Sequence, residues 1–193
     1  LHLSIRRQRQ MCIRDRVGEG YEGEPWGGEE RRLIGFDHTF RKVKESLLDQ
    51  VSQSDSGVEI SAIKFGSEGT HMLTFSTNNS YLELEAREFL AYLKEDGLEE
   101  AIAIRDGMRE TVKKSREFYR RSAKVLLQVG DEISAKADLS SDLILDIVPS
   151  SNPYNLRSPG KLQCQIKYKS KPKRNALVRC WNCLLYTSDA ADE

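Results

Sequence analysis

The chain has 193 residues, of which 38% are hydrophobic and 31% charged, a composition typical of a globular protein with one large domain or one domain and part of a second. Its 30 basic residues balance its 30 acidic residues, so charge gives no reason to expect a nucleic-acid or anionic-membrane partner. No apolar run approaches the roughly 20 residues of a membrane-spanning helix, and we therefore expect no membrane span.

The two ends of the chain differ in character from the rest. Residues 1–16 (LHLSIRRQRQMCIRDR) and 183–193 (CLLYTSDAADE) resemble translated sequencing adapter, and we expect both to be artefactual tails. A basic arm for nucleic acid or membrane is the alternative interpretation of residues 1–16. Because residues 183–193 resemble adapter sequence in the same way, the adapter interpretation is favoured for both ends of the chain.

Strand patterns occupy the first part of the remaining chain. The apolar residues between Arg31 and Glu45 alternate weakly and predict one irregular strand; they are Leu33, Ile34, Phe36, Phe40 and Val43. Alternation at Val58, Ile60 and Ala62 predicts a second strand, and HMLTFST at 71–77 predicts a third. A short SEG turn separates these last two, so we predict that they form a hairpin.

Helices are predicted next, at about 83–114. Apolar residues recur at helical spacing at Ala86, Phe89, Leu90 and Leu93, and again at Leu98, Ala101 and Ile102. Gly97, between the two runs, stands where a left-handed helix stop is expected. From 118 to 129 the period changes to two, which predicts one long strand broken only at Arg121.

The last part of the chain again predicts strands. Leu143, Leu145 and Ile147 alternate up to Pro149, and two prolines and a glycine mark 150–160 as a linker. Alternation resumes at 162–168 and at 176–180, on either side of a KSKPKR turn, and predicts a hairpin at 161–182. Residues 17–149 are therefore predicted to form a mainly β domain, an antiparallel β-sandwich with a helical insertion.

Three ordered motifs carry a family resemblance: YLELEAREFLAYLKEDGLEEAIAIR, EFYRRSAKVLLQVGD and LDIVPSSNPYNL. Over residues 57–178 the chain resembles a bacterial family catalogued as domain of unknown function number 4198 and described as NikM-like. The resemblance implies an exported, periplasmic protein linked to nickel or cobalt uptake, with envelope or metal-transport components as partners. It also implies that 161–182 is the first hairpin of a truncated immunoglobulin-like domain, and that a signal peptide is missing.

Metal ligands and catalytic motifs are sparse in the sequence. Outside the two tails the histidines are His38 and His71, which lie in different predicted strands without HxH or HxxxH spacing. They are the candidate metal ligands, and a surface or half-buried strand position is the alternative for each. No nucleophile elbow, phosphate loop or HExxH helix is present, so we expect no enzyme activity and no catalytic residues. Nickel or cobalt as a cofactor is implied by the resemblance only.

Tyr119, Arg120 and Lys124 form the polar group that we single out as a weak candidate for ligand binding. On a continuous strand, Arg120 and Lys124 would share a face, opposite Tyr119. The two cations are predicted either to hold an anionic ligand or to form ion pairs with helix carboxylates such as Glu88 and Glu99. The ion pairs would tie the helices to the sheet.

Cys164 and Cys180 are a possible disulfide. If the KSKPKR turn is centred at Pro172, Tyr168 faces Ala176 and Cys164 faces Cys180 across an antiparallel pair. Directly opposite positions are close enough for a disulfide, which would suit an exported protein. Two free cysteines that act as small hydrophobic residues are the alternative.

A structural or carbohydrate-binding module of the envelope is the alternative function for the whole chain, and it predicts exposed aromatic residues on a sheet face.

Overall fold

The computed structural model describes residues 16–17, 24–25, 30–54, 57–60, 63–134, 138–157, 159–178 and 180. Its strands, in chain order, are β1 (Arg16–Val17), β2 (Glu24–Pro25), β3 (Leu33–Phe40), β4 (Val43–Ser46), β5 (Val51–Ser54), β6 (Gly57–Ile60), β7 (Gly69–Thr77), β8 (Ser80–Leu84), β9 (Ser115–Tyr119), β10 (Ser122–Val129), β11 (Leu145–Pro149), β12 (Cys164–Tyr168) and β13 (Lys171–Pro172). The helices are α1 (Ala86–Glu95) and α2 (Glu99–Gly107). The prediction of a mainly β chain with antiparallel sheets and two helices is confirmed.

The described residues divide into two compact units. Unit 1 contains the β1–β2 pair and the β5–β6 hairpin, and unit 2 comprises Arg32–Leu48 and Lys64–Leu177. The predicted hairpin between 58–64 and 71–77 is wrong, because β6 pairs with β5 whereas β7 pairs with β3 and β10. The sequence suggested pairing between neighbours along the chain, but the long, largely buried β7 takes an inner position in a larger sheet. The predicted tails lie outside the described residues, apart from Arg16.

Unit 2 is organised around a four-stranded antiparallel sheet with the strand order β10-β7-β3-β4. The prediction of one strand over residues 31–45 is wrong, because β3 and β4 are separate and pair with each other. Arg41 and Lys42 connect them with φ angles of 47° and 71°. Two successive positive φ angles suit the twist of a tight hairpin, but such turns usually carry glycine or asparagine. The turn was therefore not predicted, because the sequence has neither glycine nor asparagine at these positions.

The predicted strand over 118–129 is two strands. β9 pairs with β8 in a two-stranded ribbon, and β10 pairs with β7 in the central sheet. At the junction, the Thr77 N–H donates to the Arg121 carbonyl (3.0 Å), and the Arg121 N–H donates to the Thr77 hydroxyl (2.9 Å). These bonds replace the regular ladder at Arg120 and Arg121 and move the chain from one sheet to the other. Alternation in the sequence breaks only at Arg121, and one break does not distinguish an irregular strand from the junction of two strands.

The two helices form as their spacing predicts. Phe89 and Leu93 of α1 are buried, and Gly97 has a φ of 65° at the predicted stop. Arg105 of α2 secures the following loop by donating to the carbonyls of Glu110 and Lys113, at 2.7 and 3.0 Å. Its guanidinium carbon lies 4.9 Å from the centroid of the Phe89 ring, which joins the loop to the buried side of α1.

Beyond the central sheet, β11, β12 and β13 form a three-stranded antiparallel sheet. Ile147 of β11 lies opposite Ile166 of β12, so the strand after the predicted linker pairs with the strand before it. Tyr168 lies opposite Lys171, with the turn at Lys169 and Ser170. The predicted register, with Tyr168 facing Ala176, is therefore wrong. The division of the chain at 150–160 into two domains stays a prediction.

The two faces of the central sheet differ in chemistry. One face is aromatic and carries Phe36, His38, Phe40, His71 and Phe75. The opposite face is largely polar and carries Asp37, Thr70, Thr74, Lys124 and Gln128, with Met72 among them. Residues 138–157 lie against the polar face, where Leu139, Asp146 and Asn152 are at most 4% exposed. Candidate binding residues occur on both faces.

Candidate functional site

His38 and His71 lie side by side on the aromatic face of the central sheet. His38 of β3 lies opposite Leu73 of β7, so His71 is its diagonal neighbour on the same face. Nε2 of His38 is 2.8 Å from Nδ1 of His71, and the two ring planes differ by 16°. The structure thus brings together two histidines that no sequence spacing connects.

The outer nitrogen of each ring meets a hydrogen-bond acceptor. Nδ1 of His38 is 2.6 Å from Oε1 of Glu45, and Nε2 of His71 is 3.0 Å from the carbonyl oxygen of Ser67. An ionised carboxylate and a peptide carbonyl only accept, so both outer nitrogens donate. The inner nitrogens of two neutral rings would then face each other with lone pairs. A third proton, held in a hydrogen bond between them, removes that repulsion at the observed 2.8 Å.

Aromatic rings shield this histidine pair from water. His71 is 1% exposed, stacks on Phe40 with centroids 4.2 Å apart, and contacts the Phe65 ring with centroids 4.8 Å apart. Burial lowers the pKa of His71, the hydrogen bond to Ser67 raises it by a smaller amount, and positive charge on His38 lowers it further. The folded chain therefore resists adding a further proton to His71.

We expect the metal-free chain to lose stability as the pH falls below about 6.5, the ordinary pKa of histidine. Because the pKa of His71 is lower in the folded chain, the unfolded chain binds more protons in acid. The contribution of His71 is fully present above that pH and declines below it. Urea unfolding at two pH values on either side of the ordinary pKa measures the decline. His71→Phe cannot titrate at this position and should show a smaller decline; an equal decline in both chains would contradict the assignment.

The histidine pair matches the chemistry of a late transition-metal site in part. Nickel and cobalt accept imidazole nitrogens, and a metal-binding histidine usually donates its other ring nitrogen to a carboxylate or a backbone carbonyl. Glu45 and Ser67 provide both kinds of acceptor. Within the described part of the chain, however, no group of three or more His, Cys, Asp or Glu side chains is placed to hold a metal ion. The pair would supply two nitrogen ligands, and the two rings would move apart from their 2.8 Å contact to admit an ion and its remaining ligands.

Lys124 lies on the polar face and forms a buried ion pair with Asp146 of β11. The two side chains are 9% and 2% exposed. Lys124 Nζ also donates to the Leu139 carbonyl at 2.6 Å, and Asp146 Oδ2 accepts from the Ser141 N–H at 2.8 Å. The partner is thus a strand carboxylate, not one of the helix carboxylates that we predicted. Ligand binding by Lys124 stays a prediction, and its geometry favours a structural role.

Tyr119 and Arg120 lie at the junction between β9 and β10, where two further arginines contact the tyrosine ring. The guanidinium carbons of Arg32 and Arg121 are 5.7 and 5.6 Å from the centroid of the Tyr119 ring. Nε of Arg120 is shielded from solvent and makes no hydrogen bond to the described residues. Arg32 is 87 positions from Tyr119 along the chain, so sequence spacing gave no sign of this contact.

Cys164 and Cys180 are both free and exposed. Cys164 lies opposite Pro149 at the end of the β11–β12 pair. The register that favoured a disulfide is wrong, because the turn after β12 falls at Lys169 and Ser170. A bond between the two cysteines stays a prediction without that support.

Comparisons with known proteins agree with the motifs in the sequence. Neither described helix has the length and apolar composition required to traverse a lipid bilayer. No curated protein and no solved structure matches the chain. Residues 17–184 match the family described as Domain of unknown function (DUF4198), a longer stretch than the motifs alone covered. Because the match covers most of the chain, the protein belongs to this family.

Proposed function

We propose that this chain is a non-catalytic, exported accessory protein that binds a divalent transition-metal ion, such as nickel or cobalt, through His38 and His71. The observation that carries the proposal is the convergence of two imidazoles whose outer nitrogens are both directed at acceptors. Their inner nitrogens form a 2.8 Å hydrogen bond, which an ion would replace as the rings move apart. The family resemblance supplies nickel and cobalt as the candidate ions. It also supplies the periplasm as the compartment and uptake components as the partners.

The residues around the pair support binding without catalysis. Phe40 and Phe65 pack against His71 and restrict the ring to one orientation, while Glu45 orients His38. A bound ion would take the place of the hydrogen bond between the two imidazoles and supply positive charge to both. Rigid imidazole ligands favour selective retention of an ion.

Metal titration of the folded, metal-free chain tests the proposal. With NiCl2 and CoCl2 in isothermal titration calorimetry, we expect one ion per chain. Glu45→Gln should weaken binding about 10–100-fold, because it alters the group that orients His38. His38→Gln and His71→Gln should weaken it further. Co2+ absorption bands that change in the histidine variants provide a second readout.

Asp142→Asn is the matched control for the loss of a carboxylate. Asp142 is a largely exposed partner of Lys44 and contacts neither histidine, so its replacement should leave metal affinity unchanged. Circular dichroism establishes that each variant is folded. The proposal fails if the folded wild-type chain binds neither ion, or if both histidine variants bind as tightly as the wild type.

A structural or carbohydrate-binding module of the envelope is the second candidate function. It is favoured by Tyr81 and Phe118, which face each other across the β8–β9 ribbon with centroids 5.5 Å apart. They are 53% and 71% exposed, and sugars commonly stack on exposed aromatic rings. Two rings make a smaller platform than the row of aromatics that this function predicts. The metal titration separates the candidates, because neither ring supplies a metal ligand.

A further inference from the structure

Two arginines, Arg32 and Arg121, contact the ring of Tyr119 where β9 passes into β10, and Arg120 lies between Tyr119 and Arg121 in the chain. We call Arg32, Tyr119, Arg120 and Arg121 the arginine cluster. Backbone hydrogen bonds hold the main chain of Arg32 and Arg121 in place. The Asn78 N–H donates to the Arg32 carbonyl at 2.8 Å, and the Thr77 N–H donates to the Arg121 carbonyl at 3.0 Å. Thr77 is fully buried, so the cluster rests on a fixed part of the central sheet.

Within the part of the chain that the structure describes, no carboxylate is paired with the positive charge of the arginine cluster. The ion pairs of the described residues include none from Arg32, Arg120 or Arg121 to an aspartate or glutamate. The buried Lys124, by contrast, is paired with Asp146. The guanidinium groups of Arg32 and Arg121, held 5.7 and 5.6 Å from the centroid of one ring, repel each other, and an anion bound to them would offset that repulsion.

Several guanidinium nitrogens in the arginine cluster are also unused donors. Nε and Nη2 of Arg32 and Nε of Arg120 are shielded from solvent, and they make no hydrogen bond to the described residues. Shielded donors without a partner are rare in folded proteins, and each calls for an explanation. The ring of Tyr119 contacts two guanidinium groups through its π system, which satisfies none of their N–H groups.

We propose that the arginine cluster binds a small oxyanion, either a phosphate or a carboxylate group. Guanidinium groups present paired N–H donors whose spacing matches two oxygens of such a group. Tyr119 holds Arg32 and Arg121 against its ring, and the fixed orientation reduces the conformational entropy lost on binding. The proposal rests on none of the contacts of the histidine pair, so it stands or fails separately from metal binding.

Anion titration of the full chain tests this assignment. Inorganic phosphate and sodium acetate are titrated separately at low ionic strength, with affinity measured by isothermal titration calorimetry. We expect saturable binding of at least one anion, weakened at least about tenfold in Arg32→Gln and in Arg121→Gln. The phosphate and acetate arms identify which oxyanion the cluster prefers. Absence of saturable binding by either anion to the folded wild-type chain overturns the proposal.

Arg116→Gln is the matched control. Arg116 is an exposed arginine of β9 that lies opposite Glu83, and its loss changes net charge by the same amount. Its affinity should equal that of the wild type, and an equal loss in Arg116→Gln and Arg121→Gln overturns the proposal. If a glutamine variant does not fold, Arg121→Lys decides, because it keeps the charge but loses the paired donors. We expect weaker anion binding in that variant, and unchanged affinity overturns the proposal.

Discussion

Replacing Asp146 with alanine should lower the free energy of unfolding by about 3–5 kcal/mol. The substitution leaves the ammonium group of Lys124 buried without its counter-ion, in a position where the lysine side chain is 9% exposed. It also removes the acceptor of the Ser141 N–H. Urea unfolding of the wild type and the variant at pH 7.5 measures the difference. The cost arises mainly from the unpaired charge rather than from the attraction within the intact pair.

Two further variants separate these causes. Lys124→Met together with Asp146→Leu removes both charges and should recover part of the lost stability, because no unpaired ion remains. Lys44→Met removes one member of more exposed ion pairs with Asp37 and Asp142 and should cost at most about 1 kcal/mol. If Asp146→Ala costs no more than Lys44→Met, the Lys124 ion pair is not shielded as its geometry indicates.

Replacing Asn152 with alanine should cost about 2–3 kcal/mol, because its buried amide connects distant parts of unit 2. Its Nδ2 donates to the Thr70 hydroxyl at 2.7 Å and to the Ser134 carbonyl at 3.0 Å. Its Oδ1 accepts from the Tyr154 N–H at 3.1 Å and caps the short 3₁₀ helix at Pro153–Asn155. Thermal and urea unfolding of the variant measure the loss.

Asn155→Ala is the control for this prediction. Asn155 belongs to the same 3₁₀ helix but is exposed, so its replacement should change the free energy of unfolding by no more than about 0.5 kcal/mol. Equal losses in the two variants would show that the turn itself, rather than the buried amide of Asn152, determines stability. The Thr70 contact spans 82 positions in sequence, which makes Asn152 a long-range connection rather than only a turn residue.

Local periodicity predicted the elements whose partners lie nearby in the chain. The spacing of Phe89 and Leu93 predicted α1, and Gly97 marked its end, because a helix satisfies its backbone within itself. Strand pairing depends on residues that are distant in sequence, so local periodicity could not predict which strands pair. Alternation predicted β7 and β10 as strands but could not show that β7 would pair with β3 rather than β6.

The candidate sites show the same division between local and distant information. Sequence identified His38 and His71 as candidates, but their contact depends on the register of β3 against β7. Glu45 contacts His38 because the turn at Arg41 and Lys42 returns β4 alongside β3. That turn lacks the glycine or asparagine that usually identifies a tight hairpin turn in a sequence. Asp146 escaped notice because its partner Lys124 is contributed by another strand.

The pairing of β11 with β12 has a practical consequence for anyone who divides this polypeptide into fragments. A fragment that ends at Pro149 would expose the backbone donors and acceptors of the five-residue β11 on the side that β12 covers. Unpaired edge strands of this kind can pair with strands of other molecules, and such pairing promotes aggregation. Soluble expression should therefore depend on keeping residues 145–168 within one fragment, even though the proline-rich loop between them resembles a natural place to cut.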